Sequence, residues 1–162
     1  MKSFLLIFTL LTLTACTSNS PVTSYYVGDG NLQFFVSSSE FPGPEGSKLS
    51  CDFSYRRNSE KSPIIVNLSY FTRGTLPADL PGVWFSHPTL GLKIELSEVK
   101  LLFKEKKQGH LRFTGLISEQ DFLSLVETPG WEASLLFSDT QTLKFPPSSH
   151  FDRHMNALKD EL

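Results

Sequence analysis

The chain has 162 residues, of which 40% are hydrophobic, 20% charged and 12% aromatic, a composition typical of one globular domain. Its 15 Lys and Arg residues are balanced by 17 Asp and Glu residues, for a net charge of -2. Because this balance leaves no broad basic field, a nucleic-acid partner is not expected. Two cysteines are too few for a disulfide-rich scaffold or a zinc framework.

The first residues have the layout of a secretory signal. Lys2 supplies a positive charge, an apolar run covers Phe4 to Leu13, and the small residues Thr14 and Ala15 follow. As a helix, this run would rise only about 15 Å, which is half the ~30 Å hydrocarbon core of a bilayer. The segment is therefore not expected to span a membrane.

The end of this segment, Leu13-Thr14-Ala15-Cys16, resembles the lipobox of bacterial lipoprotein precursors, which has a branched residue, two small residues and a cysteine. The resemblance implies that the Cys16 thiol receives a diacylglycerol through a thioether, that the chain is cut before Cys16 and that the new amine is acylated. A thiol suits this chemistry because a serine hydroxyl is a far weaker nucleophile. The alternative is an ordinary secretory signal that happens to contain a cysteine.

The lipobox divides the chain into three regions. Residues 1–15 are the signal peptide, residues 16–30 are the lipidated cysteine and a flexible tether, and residues 31–162 form a single β-rich domain. The stretch after Cys16 is polar and rich in Ser and Thr, which is typical of a tether. Thr17 replaces the Asp that retains enteric lipoproteins in the inner membrane, so the resemblance implies an outer-membrane location with the lipid bilayer as the partner of Cys16.

The other end of the chain offers a different interpretation. Lys159-Asp160-Glu161-Leu162 matches the ER-retention tetrapeptide, and with an N-terminal signal it describes a eukaryotic lumenal protein. Asn67-Leu68-Ser69 would then be a glycosylation acceptor. We favour the alternative that the last residues close an amphipathic helix, because the lipobox and the polar tether agree with each other.

Alternation of apolar and polar residues dominates the middle of the chain and predicts β-strands with one buried face. The two strands on either side of the polar turn 57–62 are expected to form a hairpin. Polar outer faces are typical of antiparallel sheets that are covered on one side. The apolar strand positions are Leu32, Phe34 and Val36; Leu49, Cys51, Phe53 and Tyr55; Ile64, Val66, Leu68 and Tyr70; Leu92, Ile94 and Leu96; Val99, Leu101 and Phe103; Leu111, Phe113 and Ile117; Trp131, Ala133, Leu135 and Phe137; Leu143 and Phe145.

Two segments have helical periodicity instead. Ser118 and Asp121 form a capping box for the first helix, which Pro129-Gly130 ends. The second helix is expected to begin at Ser149, with Asp152 three residues later. About eight strands and two short helices predict a mainly β fold, either an antiparallel β-sandwich or a flattened barrel. The apolar helix positions are Phe122, Leu125 and Val126 in the first helix, and Phe151, Met155, Leu158 and Leu162 in the second.

The sequence contains no Gly-x-Ser-x-Gly elbow, no His-Glu-x-x-His and no glycine-rich phosphate loop, so no catalytic site, metal or cofactor is expected. His150 and His154 have metal-ligand spacing, with His110 and His87 as distant ligands. We favour structural roles for them because no third ligand lies nearby in sequence. Cys51 lies on an apolar strand face, where burial disfavours the thiolate, and is expected to be an inert core residue.

Two segments rich in Pro and Gly, Ser37–Ser47 and Arg73–Gly82, predict loops. The second leads to Trp84 and Phe85, an aromatic pair at a loop-to-strand boundary and hence a candidate contact for a binding partner. The alternative is that one of the pair belongs to the core and the other covers a sheet end.

Basic residues on the outward faces of consecutive strands predict a patch that fits anionic headgroups or a glycan phosphate. The alternative is the solvated side of an ordinary sheet, because Glu95, Glu98 and Glu105 dilute the positive charge. The basic residues are Lys93, Lys100, Lys104 and Arg112, with Lys106 and Lys107 in the adjoining turn.

These patterns favour a bacterial envelope lipoprotein whose domain binds another envelope component, a protein or a glycan, without catalysis. The order of features in residues 49–162 resembles the invasion-associated locus B family, which is exported, β-rich and ends in a strand followed by a short helix. No residue role is transferred, because that family's cysteine pattern is missing. The alternative is an envelope enzyme whose site assembles from loop residues such as Glu40, Asp79 and His87.

Overall fold

The computed structural model describes residues 20–28, 31–57, 63–137 and 142–161. The lipobox with Cys16 lies outside these residues, as does Leu162. Within the described part there are ten β-strands and two α-helices, in the order β1 (Val22–Tyr26), β2 (Leu32–Pro42), β3 (Lys48–Arg57), β4 (Ile64–Phe71), β5 (Gly82–His87), β6 (Leu92–Glu95), β7 (Ser97–Glu105), β8 (His110–Ile117), α1 (Glu119–Glu127), β9 (Glu132–Leu136), β10 (Thr142–Phe145) and α2 (Ser149–Lys159).

The strands form two sheets in which every pairing is antiparallel. The first sheet has six strands in the order β1-β2-β3-β4-β8-β7, and the second has four in the order β10-β9-β5-β6. The described strands do not close into a barrel, so the mainly β antiparallel sandwich is confirmed and the flattened barrel is not. The fold has ten described strands rather than about eight.

The β3–β4 hairpin shows why the sandwich forms. Cys51 pairs with Leu68 and Phe53 pairs with Val66, and all four side chains are buried. Since alternate residues of a strand point to opposite faces, the polar residues between them lie on the outer face. The predicted hairpin and its buried face are therefore confirmed.

One aromatic side chain connects both sheets to α2. The Phe151 ring lies 5.0 Å from Phe41 and 6.0 Å from Phe53, both in the first sheet, measured between ring centroids. Its centroid also lies 6.0 Å from that of Phe85 in the second sheet. Phe122 of α1 adds a contact to Phe53 at 5.5 Å. The helices thus fill part of the space between the sheets.

Both helices begin with a serine cap. The Ser118 hydroxyl accepts a hydrogen bond from the Asp121 backbone N–H at 3.1 Å, which confirms the predicted cap of α1. The predicted start of α2 at Ser149 is confirmed, and its cap is the preceding Ser148, whose hydroxyl accepts a hydrogen bond from the Phe151 N–H. Asp152, in the first turn of α2, accepts a hydrogen bond from the Gly130 N–H at 3.0 Å.

The predicted tether is wrong for residues 22–26, which form β1 at the edge of the first sheet. The sequence shows no apolar period there because one residue of β1, Val22, is buried and the next four are exposed. An edge strand of this kind is held by its backbone hydrogen bonds to β2, which leave no pattern in the side chains.

The predicted loop Ser37–Ser47 is also wrong over its first half, because β2 continues to Pro42. A β-bulge lies between Val36 and Ser39, and the extra residue shifts the alternation by one position. The buried face therefore changes from Val36 to Ser39 and Phe41. The turn that follows contains a short 3-10 helix at Pro44–Gly46.

Two different elements, β1 and α2, cover the edge of β2. β1 pairs only with Leu32–Val36, and α2 covers the second half. The Ser148 hydroxyl donates to the Glu40 carbonyl at 2.6 Å, and His154 Nδ1 lies 2.9 Å from the Ser37 carbonyl oxygen. These side chains satisfy backbone acceptors that an uncovered edge strand would expose to other chains.

A charge placed in the α2 contact is expected to destabilise the domain. Met155 is buried on the same helix face as Phe151, and Met155→Asp should lower the free energy of unfolding by a few kcal/mol, a large part of the roughly 5–15 kcal/mol typical of a domain. Thermal unfolding monitored by circular dichroism measures the change. Asn156, the exposed neighbour of Met155, provides a control, since Asn156→Asp should have little effect on the melting temperature. An unchanged melting temperature for Met155→Asp would show that α2 is not docked.

Candidate functional site

The aromatic pair Trp84–Phe85 is divided between two environments. Phe85 is fully buried and stacks on Phe151 in the core, so its assignment as a partner contact is wrong: consecutive residues of β5 point to opposite faces. Trp84 is half-buried on the outer face of the second sheet. The alternative that one of the pair belongs to the core is therefore confirmed.

The surface around Trp84 is charged. Lys93 Nζ lies 4.7 Å from the centroid of the Trp84 ring and also forms an ion pair with Glu95. Across the sheet, Trp84 pairs with Ser134, whose buried hydroxyl makes no hydrogen bond within the described residues. Because a cation covers part of the indole ring, this face offers less apolar surface than the sequence predicts.

The four histidines do not form a metal centre. His150 and His154 have adjacent rings on α2, 4.2 Å apart, but His110 lies on β8 against Phe71, with ring centroids 4.1 Å apart. His87 lies on β5, where its Nε2 is 2.9 Å from the Pro129 carbonyl oxygen. Among residues 20–28, 31–57, 63–137 and 142–161, no three His, Cys, Asp or Glu side chains are placed to hold a metal ion.

His154 instead connects α2 to the bulge of β2. Its Nδ1 is 2.9 Å from the Ser37 carbonyl oxygen and 2.9 Å from the Ser39 hydroxyl. Since a carbonyl only accepts, Nδ1 carries the hydrogen. Burial lowers the pKa of His154, and the nearby His150 and Arg153 lower it further, whereas the hydrogen bond to Ser37 opposes the shift. Burial therefore favours the neutral ring, although Nδ1–H can donate to the Ser37 carbonyl in either protonation state.

Cys51 is a fully buried free thiol. Burial raises the pKa of this thiol well above its ordinary value, and the neighbouring Asp52 carboxylate raises it further. Since the thiolate is the reactive form, Cys51 is not a nucleophile in the folded protein. The prediction that it is a core residue is confirmed.

The predicted basic patch is wrong as a single surface. Lys93 belongs to the second sheet, whereas Lys100, Lys104 and Arg112 belong to the first. Each of the three in the first sheet also has a local partner: Lys100 pairs with Glu98 at 3.0 Å, Arg112 with Asp52 at 3.6 Å, and Lys104 Nζ donates to the Pro77 carbonyl at 2.6 Å. These contacts match the alternative of an ordinary solvated sheet.

The residues proposed for a loop-built enzyme site lie in separate places. Glu40 is an exposed residue of β2 that pairs with Lys48 at 2.8 Å, Asp79 lies in the segment between β4 and β5, and His87 is buried at the end of β5. A cleft of about 510 Å³ beside Glu40 is lined by Ser38, Ser50 and His150. Neither Asp79 nor His87 reaches it.

A surface on β7 has no counterpart among the site residues predicted from the sequence. Leu101, Leu102 and Phe103 are between 44% and 53% exposed and are called the β7 patch below. Leu101 pairs with the buried Phe113, so it lies on the inner face, yet the narrower second sheet does not cover it. The expectation that Leu101 and Phe103 share a buried face is wrong because a β-bulge between them breaks the alternation. The run of three consecutive large apolar residues was the sequence signal that could have identified the β7 patch.

The β7 patch is bordered by charge and by irregular backbone. Lys100 and Lys104 flank it, and Glu98 has a positive φ of 47° next to a second register shift between Ser97 and Lys100. Lysines and bulges hinder the addition of another strand to a sheet edge. The patch is therefore suited to contacts through its side chains rather than through its backbone.

Comparison of the chain with protein-family models, curated proteins and solved structures finds no match. Within the described residues, neither helix has the length and apolar character needed to cross a bilayer.

The stability of the domain is expected to fall in mild acid. His154 and His110 both have pKa values below the ordinary 6.5, and burial is the largest cause for each. Below pH 6.5 the unfolded chain therefore binds more protons than the folded chain. The free energy of unfolding should be highest above pH 6.5 and decrease as the pH falls below it.

Urea unfolding between pH 7.5 and 5.5 measures this dependence. His154→Gln retains an amide N–H for the Ser37 carbonyl and should make the pH dependence shallower. His110→Gln is the matched control, which isolates the contribution of His110 to the pH dependence of the free energy of unfolding. A variant lacking both histidines that keeps the full slope would contradict the assignment.

Proposed function

We propose that this protein is a bacterial envelope lipoprotein, held at the outer membrane by acylated Cys16, whose β-sandwich domain binds another envelope component without catalysis. The membrane part rests on the lipobox at residues 13–16. The binding part rests on one structural observation, the exposed β7 patch. The separation of Glu40, Asp79 and His87 supports a binding module over a loop-built enzyme.

Lipidation of Cys16 would supply enough energy for stable attachment. Each buried CH₂ group contributes about 0.8 kcal/mol, and one acyl chain alone gives only reversible binding, whereas two or more are sufficient. Since β1 begins at Val22, only a few residues separate the lipid from the domain. The domain would therefore remain close to the bilayer surface.

The chemistry of the β7 patch favours a protein partner over a glycan. Its three side chains, Leu101, Leu102 and Phe103, are aliphatic or aromatic hydrocarbon, and covering them contributes about 25 cal/mol per Å² of apolar surface removed from water. A glycan would offer mainly hydroxyl groups to this surface. A partner with a complementary apolar surface would also leave Lys100 and Lys104 at the solvated rim, where charges are tolerated.

The proposed anchor depends on the thiol of Cys16. Cys16→Ser should leave an unlipidated precursor that no longer partitions into the detergent phase, because the hydroxyl is a much weaker nucleophile. Intact-mass analysis of the purified mature protein measures both the added lipid and the new N-terminus. A mature N-terminus elsewhere, without lipid mass, would contradict the proposal and favour the ER-lumenal alternative.

The binding surface is tested by crosslinking in intact envelopes. Leu102→Ser should reduce capture of the partner by about tenfold or more if this leucine is buried in the interface. Leu136→Ser is the matched control, because Leu136 is similarly exposed but lies on the second sheet. Melting temperatures of both variants should stay near that of the parent. Unchanged capture with Leu102→Ser, combined with loss of capture with Trp84→Ala, would move the interface to the Trp84 face.

A further inference from the structure

A cavity of about 310 Å³ opens at one end of the sandwich, between the two sheets. Its described lining comes from the turn between β2 and β3, from Tyr70 and the chain that follows it, from Phe137 and from Leu143 of β10. It is called the end cavity below. Pockets that hold small molecules usually measure about 300–1,000 Å³, so the end cavity suits a ligand of one ring rather than a longer chain.

Close contacts of the backbone fix one wall of the end cavity. The Thr72 N–H donates to the Gly109 carbonyl at 2.9 Å, and a side chain at position 109 would collide with the Thr72 carbonyl oxygen. Further along the same wall, Lys104 Nζ donates to the Pro77 carbonyl at 2.6 Å. Because these contacts hold the wall in place without a ligand, binding would cost little ordering of the protein.

The apolar part of the lining is aromatic. The rings of Tyr70 and Phe137 have centroids 5.9 Å apart, with an angle of 47° between their planes. The two residues are only 5% and 4% exposed, and both border the cavity. Their rings therefore offer a small apolar surface to a ligand.

The polar part of the lining consists of hydroxyls with unused hydrogen-bonding capacity. The Tyr70 hydroxyl makes no hydrogen bond to another described residue. The Thr72 hydroxyl accepts from the Gly74 N–H at 3.0 Å, so its own hydrogen can still be donated. The Ser47 hydroxyl donates to the Pro44 carbonyl at 2.6 Å, and its lone pairs can still accept. The cavity thus presents donors and acceptors together, which a ligand with hydroxyl groups would satisfy.

The lining favours a neutral ligand. Among the described lining residues the one charged side chain is Glu45, which is exposed. Nearby charges have both signs, since Lys104 and Arg73 are positive and Asp139, which lies outside the described residues, is negative. Recognition is therefore assigned to the hydroxyls and not to a net charge. A sugar ring has hydroxyl groups around its edge, which donate and accept, and C–H bonds on its faces, which pack on aromatic rings.

We propose that the end cavity binds one neutral sugar ring, with a C–H face against the two aromatic rings and with hydroxyls bonded to Tyr70, Thr72 and Ser47. This inference goes beyond the proposed function, because it requires neither the lipid at Cys16 nor the β7 patch. The domain would hold a sugar at one end of the sandwich and its protein partner at the β7 edge.

Saturation-transfer difference NMR tests the end cavity with glucose, galactose and N-acetylglucosamine as probes. The full chain is purified in a detergent without a sugar headgroup, because a sugar headgroup would compete for the cavity. Each sugar is present at about 10 mM, which exceeds the Kd expected for a ligand held by a few hydrogen bonds. Saturation should pass from the protein to the ring protons of at least one sugar, and a titration gives its Kd.

Three variants locate the binding. Tyr70→Phe removes one hydroxyl and keeps the aromatic ring, so the Kd should rise about fivefold. Tyr55→Phe is the matched control and should leave the Kd unchanged, because the Tyr55 hydroxyl donates to Glu119 of α1 at 3.2 Å and does not line the cavity. Thr75→Trp places a large side chain at an exposed lining position and should abolish the transfer without changing the melting temperature. This third variant keeps the test decisive if Tyr70→Phe destabilises the domain.

Three results would overturn the proposal. The first is the absence of saturation transfer to all three sugars. The second is a Kd that is the same in Tyr70→Phe, Thr75→Trp and the parent, which would place the sugar elsewhere on the protein. The third is preferential binding of ethanolamine, a small cation tested in parallel, that is lost in Glu45→Gln, which would assign the cavity to cations. None of these results concerns Cys16, so the lipid anchor is tested separately by intact mass.

Discussion

The contact of Phe151 with Phe41, Phe53 and Phe85 is the interaction on which the rest of the structure depends. α2 places this one ring against both sheets, since Phe41 and Phe53 belong to the first and Phe85 to the second. The helix is also held against β2 by two hydrogen bonds, from the Ser148 hydroxyl before its first turn to the Glu40 carbonyl and from His154 in its middle to the Ser37 carbonyl. A change that released Phe151 would therefore loosen the sheets and uncover the β2 edge at once.

The sequence predicted the elements whose burial follows a simple period. Strands such as β4 alternate regularly because one face packs on the core, and α1 has a serine cap and an apolar face that can be recognised locally. β1 could not be predicted, since its pairing depends on backbone hydrogen bonds with β2. The bulges of β2 and β7 could not be predicted either, because one extra residue reverses the alternation without changing the composition.

The environment of a site residue could be predicted only where its own position in a strand decides whether its side chain is buried. Cys51 follows from its strand face, and the division between Trp84 and Phe85 follows from the rule that neighbours in a strand point apart. The separation of the basic residues between the two sheets could not be predicted, because β6 and β7 are adjacent in the chain yet belong to different sheets. The run Leu101-Leu102-Phe103 is a local signal for the β7 patch, but the exposure of these side chains depends on the width of the second sheet, which is a tertiary property.

The position of α2 in the chain order has a consequence for the nascent protein. Every described strand precedes this helix, so the second half of β2 has no cover while the chain is being made from its N-terminus. During that interval the carbonyls of Ser37 and Glu40 present an open template for intermolecular pairing. Folding yield should therefore be more sensitive than final stability to chaperones that occupy strand edges, and crowding of newly synthesised chains should favour aggregation through this segment.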